Sequence, residues 1–222
     1  MAHPAQNEFI GRIRDIFPGH FRHARVLEIG SLDINGTIRG LFTDCDYTGI
    51  DVGPGPGVDV VCAGQDFDAP DESYDVVISC EAMEHNPYWA ETFTNMVRLA
   101  KPGGLVLMTC ATLGRKEHGT TRTTPADSPL TVAKGWDYYR NLRARDFAEA
   151  GVLAPLAFTF FASCFDDYDL YFAGSKTPLS PEAEAALAEL GAMYRRRNYG
   201  TLKGLKRALK IACMTEERRR AG

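Results

Sequence analysis

Arg25-Val-Leu-Glu-Ile-Gly-Ser-Leu-Asp-Ile-Asn-Gly36 decides the fold. The apolar run Val26 to Ile29 breaks at Gly30, which reads as a buried strand ending in a tight turn. Asn35-Gly36 supplies a second sharp turn, and Thr37 to Phe42 is expected to open a helix. A strand, a glycine loop and a helix N-terminus together present unpaired backbone N–H groups to a small polar ligand.

Charge narrows the choice of ligand. Glu28 at the strand end and Asp33 within the loop would repel the diphosphate of a dinucleotide, and Gly30 and Gly36 do not fit the G-x-G-x-x-G spacing of dinucleotide sites. S-adenosylmethionine carries an ammonium and a sulfonium, and carboxylates stabilise both. The next run, Tyr47-Thr-Gly-Ile-Asp51, again closes on an acid and is ended by the glycine-proline stretch 53–57. Asp51 at the tip of a second strand is placed to accept hydrogen bonds from both hydroxyls of a ribose. A dehydrogenase remains the enzymatic rival, and a non-catalytic cofactor-binding module the non-enzymatic one.

The α/β rhythm continues. Val58–Val61 reads as strand three, with the loop Cys62–Asp66 after it, and Tyr74–Ser79 as a central strand buried on both faces. Pro87 opens a helix through Ala100, and Lys101-Pro-Gly-Gly104 leads into strand five, Leu105–Thr109. Phe158–Cys164 and Leu170–Ala173 read as a closing hairpin. Ahead of the first strand, Glu8–Phe17 has helical spacing and stops at Pro18-Gly19. Residues 111–140 break the alternation with a long polar segment, expected to form an acceptor-substrate lid in which Trp136, Tyr138 and Tyr139 stack on a ring or pack on the domain.

With Val-Leu-Glu-Ile-Gly, Tyr-Thr-Gly-Ile-Asp, Tyr74-Asp-Val-Val-Ile-Ser79, Glu84-His85 and Leu99-Ala-Lys-Pro-Gly-Gly-Leu-Val-Leu107 in place, residues 25–176 resemble class I S-adenosylmethionine-dependent methyltransferases of the ubiquinone-biosynthesis type. The resemblance implies an α/β fold: a Rossmann-like, mostly parallel seven-stranded sheet with an antiparallel terminal hairpin and helices on both faces. The methyltransferase domain would span residues 1–178, and 179–222 would form a C-terminal helical, basic appendage. The cofactor would be held by Glu28, Gly30, Ser31, Asp33, Gly36, Asp51, Val52, Ala63, Gly64 and Cys80. One departure stands out: the middle glycine of the usual glycine-rich loop is missing.

Methyl transfer from a sulfonium is an in-line displacement, and an alcohol acceptor must also lose a proton to a base or have its hydroxyl bound by a metal. Glu81, Glu84 and His85 stand at i, i+3 and i+4, so a helical turn would place them on one face. His118 in the lid would complete the set, an arrangement similar to the Glu-x-x-Glu-His plus distal His site of small-RNA terminal 2′-O-methyltransferases. The resemblance implies Mg²⁺ or another divalent metal on Glu81, Glu84, His85 and His118; without metal, His85 or His118 is the base. The expected reaction is O-methylation of a small-molecule or saccharide acceptor, with a phenolic or quinone acceptor next and an RNA ribose third.

A length of 222 residues with 45% hydrophobic and 24% charged residues suits one soluble domain with an appendage. No apolar run approaches the roughly 20 residues of a spanning helix. The N-terminal residues lack a secretory pattern and the six cysteines form no C-x-x-C pair, so reduced thiols and a cytoplasmic location are expected. The formal net charge of −4 is uneven: residues 195–222 hold ten Lys or Arg against two Glu. The acidic body disfavours nucleic acid, while the basic tail suits contact with an anionic membrane surface, its own domain, or a second copy in a homodimer. Ser180-Pro181 starts one helix, and Thr201–Met214 gathers Leu202, Leu205, Leu209 and Ala212 on one face of another.

Overall fold

The computed structural model describes residues 3–220, with side chains through Met214. Seven strands, β1 (Arg25–Ile29), β2 (Asp46–Asp51), β3 (Val60–Val61), β4 (Tyr74–Cys80), β5 (Ala100–Ala111), β6 (Phe158–Cys164) and β7 (Asp169–Ser175), form one sheet in the order β3-β2-β1-β4-β5-β7-β6. The first five run parallel, and β7 is antiparallel to both β5 and β6. The strand order reverses beside β1, between β1 and β4, and ligands of open α/β sheets collect in the crevice at such a point.

Side chains alternate across each strand, so each central strand feeds two cores. On one face, Val26, Val76, Ile78 and Leu107 pack under α1 (Pro4–Ile16) through Phe9, Ile10 and Ile13, and under α5 (Pro181–Tyr199) through Leu187, Leu190 and Tyr194. On the other, Leu27, Val77, Val106 and Phe172 pack under α2 (Trp89–Leu99) and α4 (Ala144–Glu149), with Phe93 and Phe147 meeting edge to face at 5.0 Å. Phe9 stacks on Tyr171 at 4.6 Å and ties α1 to β7. α5 begins as expected, Ser180 Oγ accepting the Ala183 N–H at 3.3 Å, and it shares the domain's core. Among the described residues, α6 (Leu202–Arg220) contributes none to either core cluster. The side chains of Glu216, Glu217 and Arg218 to Arg220, which count in the tail's charge, lie outside the described residues. No described helix is long and apolar enough to cross a membrane.

Three local expectations are corrected. The stretch 37–42 holds only a single 3-10 turn at Arg39–Leu41, so the helix N-terminus expected after the glycine loop does not form. Gly36 sits at φ 137°, Thr37 Oγ1 accepts the Arg39 N–H at 3.1 Å, and Gly40 within the turn has low helix propensity, all of which compete with α-helix. Strand three shrinks to two exposed residues at the sheet edge. Strand five starts earlier, running through Pro102-Gly103-Gly104 with an irregularity in its register on β4. The lid contains a short helix, α3 (Pro129–Ala133).

Candidate active site

The loop after β1 is knitted to the end of β2. Gly30 and Ser31 N–H groups both donate to Ile50 O, Leu32 N–H donates to Asp51 Oδ2 at 3.1 Å, and Asp33 N–H donates to Pro56 O. Asp51 Oδ1 accepts the Val52 N–H at 2.8 Å. Each carboxylate oxygen keeps one lone pair for a ligand hydroxyl. Burial holds the Asp51 carboxyl above its ordinary range, against the pull of the two backbone N–H groups. Gly30 lies at φ +80°, and a Cβ there would fall 2.4 Å from Ala82 Cβ, so the β1 and β4 loops approach too closely for any other residue.

The resulting cleft is walled by Gly30, Leu32, Ile34, Asp51, Glu81, Ala82 and His85 and roofed by lid residues 127–131. It contains the carboxylates of Asp51, Glu81 and Asp127 and no lysine or arginine among the described residues. This sign favours a cationic ligand and opposes a diphosphate. The cavity beneath the roof is about 50 Å³, too small for a nucleoside, and Leu130 presses on Gly53, where a Cβ would lie 2.8 Å from Leu130 Cδ2. A nucleoside would fit there only with the 127–131 turn displaced.

Other expected cofactor residues lie around the cleft without lining it. Glu28 is buried and accepts the Tyr47 hydroxyl at 2.7 Å, and burial raises its pKa. Asp33 Oδ1 accepts the Gly36 N–H at 2.8 Å and braces the loop itself. Ser31 Oγ is buried with no hydrogen-bond partner among the described residues. Cys80 is fully buried on β4, and Gly64 packs on Thr92 and Ile29 while its carbonyl accepts from Asn95. Ala63, also buried, accepts the Asp66 N–H at 3.0 Å.

The Glu-x-x-Glu-His segment does not share one helical face. Glu81 adopts φ +52°, which turns its side chain away from the 3-10 turn Met83–His85. Such a conformation is strained for a non-glycine residue and clusters at functional sites. The expected quartet is therefore split: Glu84, His85 and His118 converge, with one ligand atom of each lying within 4.8 Å of the others, while Glu81 joins His3 and Asp169.

In the first group, Glu84 is fully buried. Its Oε1 accepts the Ala111 N–H at 3.1 Å and its Oε2 is unpartnered; burial, with the Glu81 charge adding to it, pushes its pKa well up. His85 is buried with both ring nitrogens unpartnered, and burial brings its pKa down to about 3, so the ring is neutral at physiological pH. His118 donates Nδ1–H to Lys116 O at 3.0 Å, which leaves the Nε2 lone pair free. Gly119 at φ +64° lets the lid pass His85, because a Cβ there would lie 2.6 Å from Cε1. Buried unpartnered oxygen and nitrogen atoms that converge in this way fit a metal ion.

In the second group, Glu81 Oε1 accepts the Thr109 hydroxyl at 3.2 Å, and its Oε2 lies 4.0 Å from Arg115. Asp169 accepts from Arg115 at 3.2 Å and from Gln6 Nε2 at 2.8 Å. Here the guanidinium already occupies the place a cation would take. Neither Arg115 nor Asp169 was expected from sequence, and no local motif announces a pair formed between a lid and a distant hairpin.

Glu81, Asp127 and the lid also border a second, open cavity of about 570 Å³. Its walls include His3, Asn35, Arg115, His118, Tyr168 and Lys210. Glu81 and Asp127 thus lie at the junction of the two cavities. Of the two roles expected for the lid aromatics, Trp136 and Tyr139 take packing on the domain, Trp136 on Tyr88 and Tyr139 on His85, each at 5.5 Å. Tyr138 does not border this cavity, whose ring is Tyr168, from the β6–β7 turn.

The sheet order, the glycine turn after β1 and the acid ending β2 are those of a Rossmann-like methyltransferase fold. Residues 1–138 match the family described as Methyltransferase domain, and the chain belongs to that family. No curated protein matches the sequence significantly. Among solved structures, phosphoethanolamine N-methyltransferase 2 of Haemonchus contortus, in complex with phosphomonomethylethanolamine and S-adenosylhomocysteine, aligns with TM-score 0.56 and 14% identity over 78% of this chain and 53% of that one. An arsenic(III) S-adenosylmethionine methyltransferase of Chlamydomonas reinhardtii aligns with TM-score 0.51 and 17% identity, over 72% of this chain and 65% of that one. A putative sarcosine dimethylglycine methyltransferase of Galdieria sulphuraria aligns with TM-score 0.51 and 14% identity, over 78% and 86%. The chain spans about half the length of the first of these relatives.

Proposed function

We propose that the chain transfers a methyl group from S-adenosylmethionine to a hydroxyl oxygen of a polyhydroxylated small molecule, a saccharide foremost. The observation that carries this reading is the position of the Glu81 carboxylate, whose Oε2 accepts no hydrogen bond among the described residues and which borders both the cation-favouring cleft and the wide polar cavity. Gly30, Leu32 and Asp51 hold the cofactor's ribose side, and the Asp51, Glu81 and Asp127 carboxylates favour its positive charge. The second cavity suits an acceptor rich in hydroxyls, since its walls offer many donors and acceptors around the single Tyr168 ring. An apolar quinone would leave most of those groups unpaired.

We propose further that Glu84, His85 and His118 hold a divalent ion. With two imidazoles and one carboxylate, the set suits a transition metal better than Mg²⁺. When bound, such an ion polarises the acceptor hydroxyl and eases loss of its proton. Without metal, the His85 or His118 ring is the base, and the second cluster, through Arg115, keeps Glu81 oriented at the junction.

The test is incubation with methyl-labelled S-adenosylmethionine and panels of sugars, phenols and amines, with and without EDTA, followed by mapping of the methylated atom. Label on a sugar oxygen supports the proposal. Transfer only to nitrogen or to a phenol overturns the acceptor class, and absence of turnover with every acceptor favours a binding module. EDTA-resistant turnover leaves the metal-free base.

A further inference from the structure

The helix α6 is amphipathic in an unusual sense: the face it keeps outside is the apolar one. It docks on the domain through Gly204, Arg207 and Ile211, spaced i, i+3 and i+7. Gly204 is buried so close to Asn198 that a Cβ would fall 2.2 Å from its carbonyl oxygen, Arg207 pairs with Asp166, and Ile211 lines a cavity with Tyr194 and Tyr199. This docking leaves Leu202, Leu205 and Leu209 pointing outward, 81%, 43% and 66% exposed. The docking on its own domain expected of the tail is thus made by this opposite face and not by the leucines. Next to this stripe, one step around the helix, lie Lys203, Lys206 and Lys210, all exposed.

We infer that the outer face of α6 docks on an anionic lipid bilayer, the leucines entering the acyl boundary and the lysines meeting lipid phosphates. Three observations select this occupant. An exposed leucine stripe costs free energy in water and gains it in an apolar phase. The lysines flank it on the polar side, the arrangement of helices that lie in a membrane interface. The remainder of the chain is acidic on balance, so the net positive charge lies at the docking end. A second copy of the chain would bring the same lysines against these, and a nucleic acid would leave the leucines in water. Lys210 also borders the polar cavity, so the bilayer-facing surface adjoins the cavity proposed for the acceptor.

The test is co-sedimentation of the full chain with vesicles of phosphatidylcholine containing phosphatidylglycerol, against vesicles of phosphatidylcholine alone, at low and high salt. Binding to the anionic vesicles is expected, weakened by salt. Each of Lys203→Glu and Lys206→Glu should lower the partition by roughly fivefold or more, and the combined Leu202→Ser, Leu205→Ser and Leu209→Ser variant should abolish it. Because these side chains make no contact with the core, the variants should keep the parent's circular dichroism spectrum and melting temperature, which separates lost docking from lost folding. The inference is overturned by absence of binding, by equal binding to both vesicles, or by binding that the leucine variant retains. A concentration-dependent dimer that the leucine variant breaks, with no vesicle binding, would assign the face to a second copy instead. Retention on immobilised RNA without vesicle binding would equally contradict it.

Discussion

His85 and His118 meet edge to face with ring centroids 4.9 Å apart, one from the turn after β4 and the other from the lid. With Glu84 beside them, the two rings converge on a common point from different segments. Titration with Mn²⁺ or Zn²⁺ is expected to show one binding event per chain. His118→Ala should weaken it by more than the ~10–100-fold that loss of an outer-shell partner costs. Isothermal calorimetry measures both, and an affinity unchanged in the variant would remove the metal from the account.

Gly30→Ala is expected to damage both folding and ligand binding. The new Cβ meets Ala82 at 2.4 Å, and the φ of +80° is strained for alanine. A stability loss of about 2–4 kcal/mol is expected from the clash and the strain together. Thermal melting reads the first effect, and S-adenosylhomocysteine titration below the melting range reads the second.

With Asp51 as the proposed ribose ligand, cofactor binding is expected to depend on pH. Its carboxyl is raised above the usual range by burial, and only the ionised form accepts from two ribose hydroxyls, so binding favours loss of the proton. Affinity should therefore be constant above the raised value and fall by about tenfold per pH unit below it. Asp51→Asn should bind more weakly at neutral pH and flatten this dependence. Titrations across the acidic range check both.

Arg115 is the cation beside two buried carboxylates, Glu81 and Asp169. Arg115→Leu leaves them facing each other without it, which is expected to cost about 3 kcal/mol, the low end for a broken buried pair because the guanidinium is a quarter exposed. Burial, with the Glu81 charge adding to it, already raises the Asp169 pKa. A raised carboxyl is most favourable while protonated, so stability is lost as pH rises from the unfolded value through the folded one. The variant's deficit should therefore shrink in acid, and Asp169→Asn should restore part of it. Denaturant titrations at several pH values test this.

Much of the fold was legible because buried parallel strands are short apolar runs closed by turn residues. Val26–Ile29, Tyr74–Ser79 and Leu105–Thr109 all lie within strands of the sheet, and Ser180-Pro181 does start a helix. The stretch after Gly36 was misread because propensity competes there with local side-chain bonding: Thr37 holds the Arg39 N–H and Gly40 weakens any helix. The candidate site was legible where it is local, as at Asp51 and Glu84-His85. It was not legible where one backbone angle decides it, since the φ of +52° at Glu81 redirects a carboxylate that spacing alone places beside Glu84. Contacts distant in sequence, such as Gln6 and Arg115 on Asp169 or Tyr47 on Glu28, leave no periodic trace either.

The cleft between β1 and β4 carries carboxylates and no lysine or arginine among its described residues, a lining that favours a cationic ligand over a diphosphate. The most direct test is calorimetric titration of one preparation with S-adenosylhomocysteine and, separately, with NAD. Micromolar binding of S-adenosylhomocysteine, with NAD at least about 100-fold weaker, is the expected result, a gap of about 2.7 kcal/mol. Equal or tighter binding of NAD, or no heat with S-adenosylhomocysteine, would contradict it.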